Sequence, residues 1–172
     1  MGSDRGRRRP QLLEWVAGLS TVALLVADLF VERGTNDALR AIGVVALLLA
    51  PVFFVPPFFL LKKHGRVEEG RSFVYTTGVV DRGVYGIVRH PQYLGYILLA
   101  LGFALRTQNI VTWALGAVAV AFFYLHALTE ERFCAGQLGS EYAAYMSRVP
   151  RFNFILGLFI YLRSKIRSTP DG

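Results

Sequence analysis

The stretch from Pro91 to Leu128, PQYLGYILLALGFALRTQNIVTWALGAVAVAFFYLHAL, decides the fold of this chain. It holds two apolar runs, Pro91 to Leu105 and Ile110 to Leu128, joined only by Arg106-Thr107-Gln108-Asn109. A helix of about 20 apolar residues crosses the ~30 Å of a bilayer's hydrocarbon. The second run meets that length and the first is short of it. Tyr93 and Tyr96 stand where the first run meets the headgroups, a favoured place for rings with a polar tip, and they extend its reach. So short a turn makes the two helices antiparallel, which returns Pro91 and Leu128 to the same side of the membrane.

Two more apolar runs precede this hairpin, Leu12 to Val31 and Leu39 to Leu61. Of the 172 residues, 53% are hydrophobic and 18% charged, and the mean hydropathy is positive, too apolar for a soluble domain of this size. The expected fold class is all-α: a polytopic transmembrane helical bundle of four spanning helices in one integral membrane domain. Pro51, Pro56 and Pro57 remove backbone donors from the second helix, and predict a bend or break there unless neighbours satisfy the freed carbonyls. Arg5, Arg7, Arg8 and Arg9 ahead of the first run resemble the start of a signal peptide. The run is too long for one, and Glu32-Arg33-Gly34 follows in place of a small-residue cleavage pattern, so it reads as a retained anchor. The lone Cys134 excludes an internal disulfide and a cysteine metal framework, and reads as a small apolar filler beside Phe133.

The formal charge of +7 does not point to nucleic acid, because the basic residues lie between the apolar runs and not on one face. They act as topology signals. Lys62, Lys63, Arg66, Arg71, Arg82 and Arg89 follow the second helix, and Arg132, Arg148, Arg151, Arg163, Lys165 and Arg167 follow the fourth. The turns after the first and third helices carry little net charge. An excess of Lys and Arg marks cytoplasmic loops, so the expected arrangement is multi-pass with both termini cytosolic. The apolar run Phe152 to Leu162 is too short to span comfortably. It reads as an interfacial helix on anionic membrane lipids, or as a fifth, partly inserted one.

The hairpin then sets Gly78 to His90 beside Thr129 to Arg151, and these two stretches hold most of the polar chemistry. In Arg89-His90-Pro91-Gln92-Tyr93-Leu94-Gly95, Pro91 is suited to the first position of a helix and pushes His90 toward an extended conformation. The helix start and the Arg89 guanidinium suit a carboxylate or phosphate; equally, Arg89 holds a lipid phosphate and His90 caps the helix. Gly95 and Gly102 lie near one helix face and let another backbone or a flat ligand come close. Glu130 and Glu131, read as standing at the C-terminal end of an apolar helix, call for a cationic partner, either Arg89 or a ligand; equally, they are solvated residues capping the membrane exit. His126, one turn earlier, can bond Glu130 or pair with His90 at a metal, for which no third ligand is evident. Gly139 to Phe152 forms an amphipathic element ending at Pro150. The shared face of Tyr142, Tyr145 and Arg148 either closes over a polar pocket or rests on headgroups.

Gly83-Val84-Tyr85, Arg89-His90-Pro91-Gln92-Tyr93-Leu94-Gly95, Glu130-Glu131, Gly139, Tyr142, Tyr145 and Val149-Pro150-Arg151, taken in this order, resemble a known pattern. It is similar to that of the integral membrane methyltransferases typified by isoprenylcysteine carboxyl methyltransferase and the phospholipid N-methyltransferases. The resemblance covers about Thr77 to Phe152. It implies an enzyme that binds S-adenosylmethionine at the cytosolic interface, with Gly83, Tyr85, Arg89, His90, Pro91, Tyr93 and Gly95 on one side of the cofactor and Glu130 and Glu131 on the other. No metal is implied. The acceptor it implies is lipophilic, such as a prenylcysteine carboxylate or a lipid amine, and enters from the bilayer. Arg148 or Arg151 would hold a carboxylate, and Glu130, Glu131 or His90 would take a proton from an amine. The expected organisation is residues 1–76 as helices with no recognisable substrate signature, 77–152 as the cofactor-binding core and 153–172 as interfacial helix and basic tail.

Two other readings compete. Membrane sterol reductases that use NADPH share an Arg-x-Pro-x-Tyr element, but typically with asparagine before the tyrosine and a glutamate shortly after it, where this chain has Gln92, Leu94 and Gly95. A non-enzymatic membrane scaffold is the other. Neither a nucleic acid nor an obligate protein partner is indicated.

Overall fold

The computed structural model describes residues 8–64 and 78–167. Arg5, Arg7, Arg66, Arg71 and the boundary near residue 77 lie outside the described residues, as do the side chains of Arg8, Arg9, Lys62, Lys63 and Arg167. Among those described, the chain is helical throughout: α1 (Arg8–Phe30), α2 (Asp37–His64), a 3-10 turn (Gly83–Gly86), α3 (Pro91–Thr107), α4 (Ile110–Arg148) and α5 (Phe154–Arg167). Leu12–Phe30, Asp37–Pro57 and Ile110–Arg148 are long and apolar enough to cross a membrane. The 17 residues of α3 reach roughly 25 Å and the 14 of α5 roughly 21 Å at 1.5 Å per residue, short of the ~30 Å of hydrocarbon. Large apolar side chains face outward along α1 and α2, among them Trp15, Leu19, Val22, Leu29, Val45, Leu48 and Val52, as lipid-facing helices require.

α2 runs unbroken through Pro51, Pro56 and Pro57 to His64. Away from water the helix remains the cheapest way to pair the remaining backbone groups, so the expected break does not occur. α4 runs well past Leu128. Nothing in Thr129 to Leu138 terminates a helix until Gly139, whose backbone (φ 55, ψ −127) leaves the helical region inside the assigned span. That conformation is open to glycine and strained for any L side chain. Ser140 to Arg148 then form the amphipathic element that ends at Pro150.

The chain folds as two compact units, and enters each of them twice: Met1–Phe54 with Tyr93–Arg132, and Val55–Gln92 with Phe133–Gly172. The first is packed through small residues, which let helix backbones approach closely where lipid supplies no hydrophobic drive. Ala17, Leu24, Ala100 and Ala119 are fully buried, and Phe123 packs with them, nearly so. A Cβ on Gly43 would sit 2.7 Å from the Arg106 amide and the Gly102 carbonyl, and one on Gly95 3.1 Å from the Ala50 carbonyl. Of the two partners open to Gly95 and Gly102, it is therefore the backbone of α2 that approaches them.

Where α1 ends and α3 meets α4, the first unit buries charge. Asp28 is 4% exposed and accepts hydrogen bonds from the Arg106 guanidinium and the Thr107 hydroxyl, with Arg33 at 3.7 Å. Gln108 closes α3 with φ 56, unusual outside glycine and asparagine. Its side chain compensates, accepting from the Asn36 amide (2.9 Å) and donating to the Asn36 carbonyl (2.6 Å).

Candidate active site

The site residues fall into two sets, one in each unit. In the second unit, the segment before α3 is gripped along its length. The 3-10 turn forms through Tyr85 N–H to the Arg82 carbonyl and Ile87 N–H to the Val84 carbonyl. Gly83 (φ 59) turns the chain against Leu60 of α2. The Tyr145 hydroxyl donates to the Tyr85 carbonyl at 2.7 Å, the Arg89 amide donates to the Pro150 carbonyl at 3.0 Å, and Arg148 stands 3.8 Å from Asp81. On the opposite flank, a Cβ on Gly86 would meet the Tyr161 ring and one on Gly157 would collide with the Ile87 carbonyl, so α5 presses directly on this segment. Gly78 to His90 thus lies beside the Tyr142 to Pro150 portion of the second stretch.

The result is a rigid approach to α3. Val88 is fully buried, His90 is 5% exposed with its ring 6.0 Å from Phe152, and Pro91 is the first residue of α3. Arg151 is half-buried and Arg148 exposed. Tyr142 and Tyr145 share a helix face as their spacing implies, and with Val149 they form this unit's core, packed by Val79, Cys134, Leu138 and Met146. Both rings are buried within this unit. Tyr145 lies far beyond the apolar stretch that ends at Leu128. Burial, reinforced by the Tyr142 and Tyr85 phenols and by Asp81 and opposed by Arg89, raises its hydroxyl well above the ordinary tyrosine value, so it remains a donor.

In the first unit, the Tyr93 hydroxyl donates to Glu130 Oε2 at 2.8 Å. The Tyr93 ring stacks on Phe123 at 6.1 Å and meets His126 edge-on at 5.1 Å. This bond joins Tyr93, the last residue of the Arg-His-Pro-Gln-Tyr element, to the first of the two glutamates. Glu131 is buried on the next helix position. Both glutamates lie inside α4, so the reasoning from a helix C-terminus does not hold: the helix continues for about two turns beyond them, to Gly139. His126 makes no hydrogen bond to Glu130; no protein group bonds either ring nitrogen. Among the described residues no three His, Cys, Asp or Glu side chains group as metal ligands. Sequence reasoning missed three things: the Asp81 partner of Arg148, the contacts of α5 with Gly86 and Ile87, and the buried, unbonded ring nitrogens of His126. A glycine inside the otherwise bulky run Phe154 to Leu162 was the one visible signal.

Comparison with known proteins supplies the family. The chain matches the phospholipid methyltransferase family over residues 39–141. It is 30% identical over 99 residues to protein-S-isoprenylcysteine O-methyltransferase of Schizosaccharomyces pombe, covering 52% of this chain and 42% of that protein. It is 30% identical over 100 residues to protein-S-isoprenylcysteine O-methyltransferase B of Arabidopsis thaliana, covering 53% and 51%. A Delta(14)-sterol reductase of Dictyostelium discoideum is 30% identical over 111 residues, 63% of this chain and 21% of that protein. The chain spans about half the length of the curated methyltransferases it matches first. No solved structure matches it. The family match runs from the start of α2 to just past Gly139 and so takes in both the Arg-His-Pro element and the glutamate pair: this chain belongs to the phospholipid methyltransferase family.

Proposed function

We propose that this chain is an S-adenosylmethionine-dependent membrane methyltransferase, acting on a lipophilic acceptor at the cytosolic face of the bilayer. The observation that carries the reading is the Tyr93–Glu130 hydrogen bond, which joins one residue from each of the two motifs on which the family resemblance rests. The membrane arrangement proposed with it has four spanning helices, α3 crossing with help from its interfacial tyrosines, α5 at the interface and both termini cytosolic.

The donor set suits the cofactor. Glu130 and Glu131 offer carboxylates to an ammonium and a sulfonium, Arg89 offers a two-pronged donor to a carboxylate, and Tyr93 offers a ring face to an adenine. The family resemblance adds Gly83, Tyr85, His90 and Pro91 to that side, and within the first unit Gly95 holds α3 against α2. When bound, the cofactor supplies an electrophilic methyl group on sulfur. The protein's part is then to hold the reactants in line and exclude water. Buried His90 and Glu131 serve the second purpose as well as the first. For a carboxylate acceptor no base is needed, and half-buried Arg151 is better placed to hold it than exposed Arg148, which already faces Asp81. For an amine, Glu130, Glu131 or His90 takes the proton.

The likeness to a sterol reductase keeps NADPH-dependent reduction as a second reading. Titrating the purified protein with S-adenosylmethionine, S-adenosylhomocysteine and NADPH separates the two. Binding of both adenosyl compounds, weakened about tenfold or more in Arg89→Ala and Glu130→Gln, is the expected result. Saturable NADPH binding without either adenosyl compound overturns the proposal.

A further inference from the structure

His126 stands one turn before Glu130 on α4, toward the apolar part of the helix. Its ring meets Tyr93 edge-on at 5.1 Å, and the Tyr93 hydroxyl is on Glu130 at 2.8 Å, so three polar side chains of one unit share one place. The surroundings are apolar: Phe123 stacks on Tyr96 at 4.8 Å, and Ala119 and Ala127 are fully buried. Tyr93 and Glu130 satisfy each other there. His126 does not share in this, for both its ring nitrogens are buried and bonded to no protein group. Buried polar atoms are nearly always paired, and a phenylalanine of similar size would fill the space without the desolvation cost.

A group retained at such a cost suits a ligand that arrives during function. An uncharged imidazole offers one donor and one acceptor, so it can donate to a carboxylate or accept from an amine. One helical turn places His126 roughly 5–6 Å nearer the bilayer centre than Glu130, on the side from which a lipophilic molecule enters. We infer that His126 hydrogen-bonds the polar head of the bilayer-borne methyl acceptor, an assignment that rests on the methyltransferase reading above. Glu130 and Arg89 then serve the donor cofactor, and His126 serves its reaction partner.

The test uses the full chain in lipid nanodiscs, as wild type, His126→Phe and His126→Gln. Three quantities are read: affinity for S-adenosylhomocysteine, thermal midpoint, and methyl transfer to two probes, N-acetyl-S-farnesylcysteine for a carboxylate head and phosphatidylethanolamine for an amine. His126→Phe is expected to leave S-adenosylhomocysteine affinity within about twofold and to raise the midpoint by a few degrees. It should also lower kcat/KM about tenfold or more on whichever probe the wild type methylates, chiefly through KM, with His126→Gln recovering part of the loss. Unchanged acceptor kinetics, a lowered midpoint in His126→Phe, or a wild type that binds S-adenosylhomocysteine yet methylates neither probe overturns the assignment. A wild type that does not bind S-adenosylhomocysteine overturns the methyltransferase reading, and this inference with it.

Discussion

Replacing Asp28 with alanine tests whether the buried ion pair holds the first unit together. The Asp28 side chain is 3% exposed and that of Arg106 26%, so the substitution leaves a cation mostly enclosed without its anion. Removing one partner of a buried pair costs about 3–5 kcal/mol. The partial exposure of Arg106 and its position 5.2 Å over the Phe103 ring move the expectation to the lower end, about 3 kcal/mol. The Thr107 hydroxyl, in a fully buried residue, also loses its acceptor, adding about 1 kcal/mol. Arg33, half exposed at 3.7 Å, adds little. The sum is about 4 kcal/mol, measurable by equilibrium unfolding of the purified protein in mixed micelles. The companion variant is Asp28→Leu with Arg106→Met. If desolvated charge is the cause, the double change recovers most of the loss, because apolar residues of similar volume commonly replace a buried pair at no cost. A single-variant loss below about 1 kcal/mol, or a double variant no more stable than the single, refutes the reasoning.

Gly157→Ala drives a methyl into the Ile87 carbonyl and should displace α5, lowering the thermal midpoint and weakening S-adenosylhomocysteine binding together; an unchanged midpoint would show that α5 is not seated on this segment. Tyr145→Phe removes the donor to the Tyr85 carbonyl and should cost about 1 kcal/mol in the same unfolding assay, with no pH dependence up to pH 9 because the phenol stays protonated. Tyr93→Phe removes one hydrogen bond from the Glu130 carboxylate while keeping the ring, so S-adenosylmethionine affinity should fall about threefold to tenfold, and less than in Glu130→Gln.

Much of this architecture was legible in the pattern of apolar runs, since spacing fixes helix length and a four-residue turn fixes the sense of the hairpin. The starts of α2 and α3 and the near ends of α1 fell within a few residues of the expected places. The end of α4 did not. An apolar run marks where the hydrocarbon ends, whereas a helix ends where its backbone is interrupted, and here that point is Gly139, eleven residues farther on. The three prolines of α2 left a bend or a break open unless neighbours met the freed carbonyls, and the helix is not broken there.

The site was legible in part. Arg89, His90, Tyr93 and the two glutamates stand out as polar residues at the rims of apolar runs. Asp28 was equally visible, an acid deep inside an apolar stretch, and Arg106 was the one cation in its turn; reading the turns by net charge alone hid the pairing that an intramembrane acid calls for. The contacts of Gly86 and Gly157 depend on how distant segments meet in three dimensions, which spacing along the chain does not encode.

The break at Gly139 makes a prediction about handedness. Among the described residues no atom lies within 4 Å of where its Cβ would stand, so they leave room for a small side chain there, and only the torsions oppose it. Inverting φ 55 and ψ −127 gives a conformation that is ordinary for an L residue, which means a D residue is at ease in the native one. A semisynthetic chain carrying D-alanine at this position should keep the direction of the segment that follows, and the L enantiomer, identical in volume and polarity, should not. At this one position the identity of the residue is set by chirality alone, with no neighbour taking part in the choice.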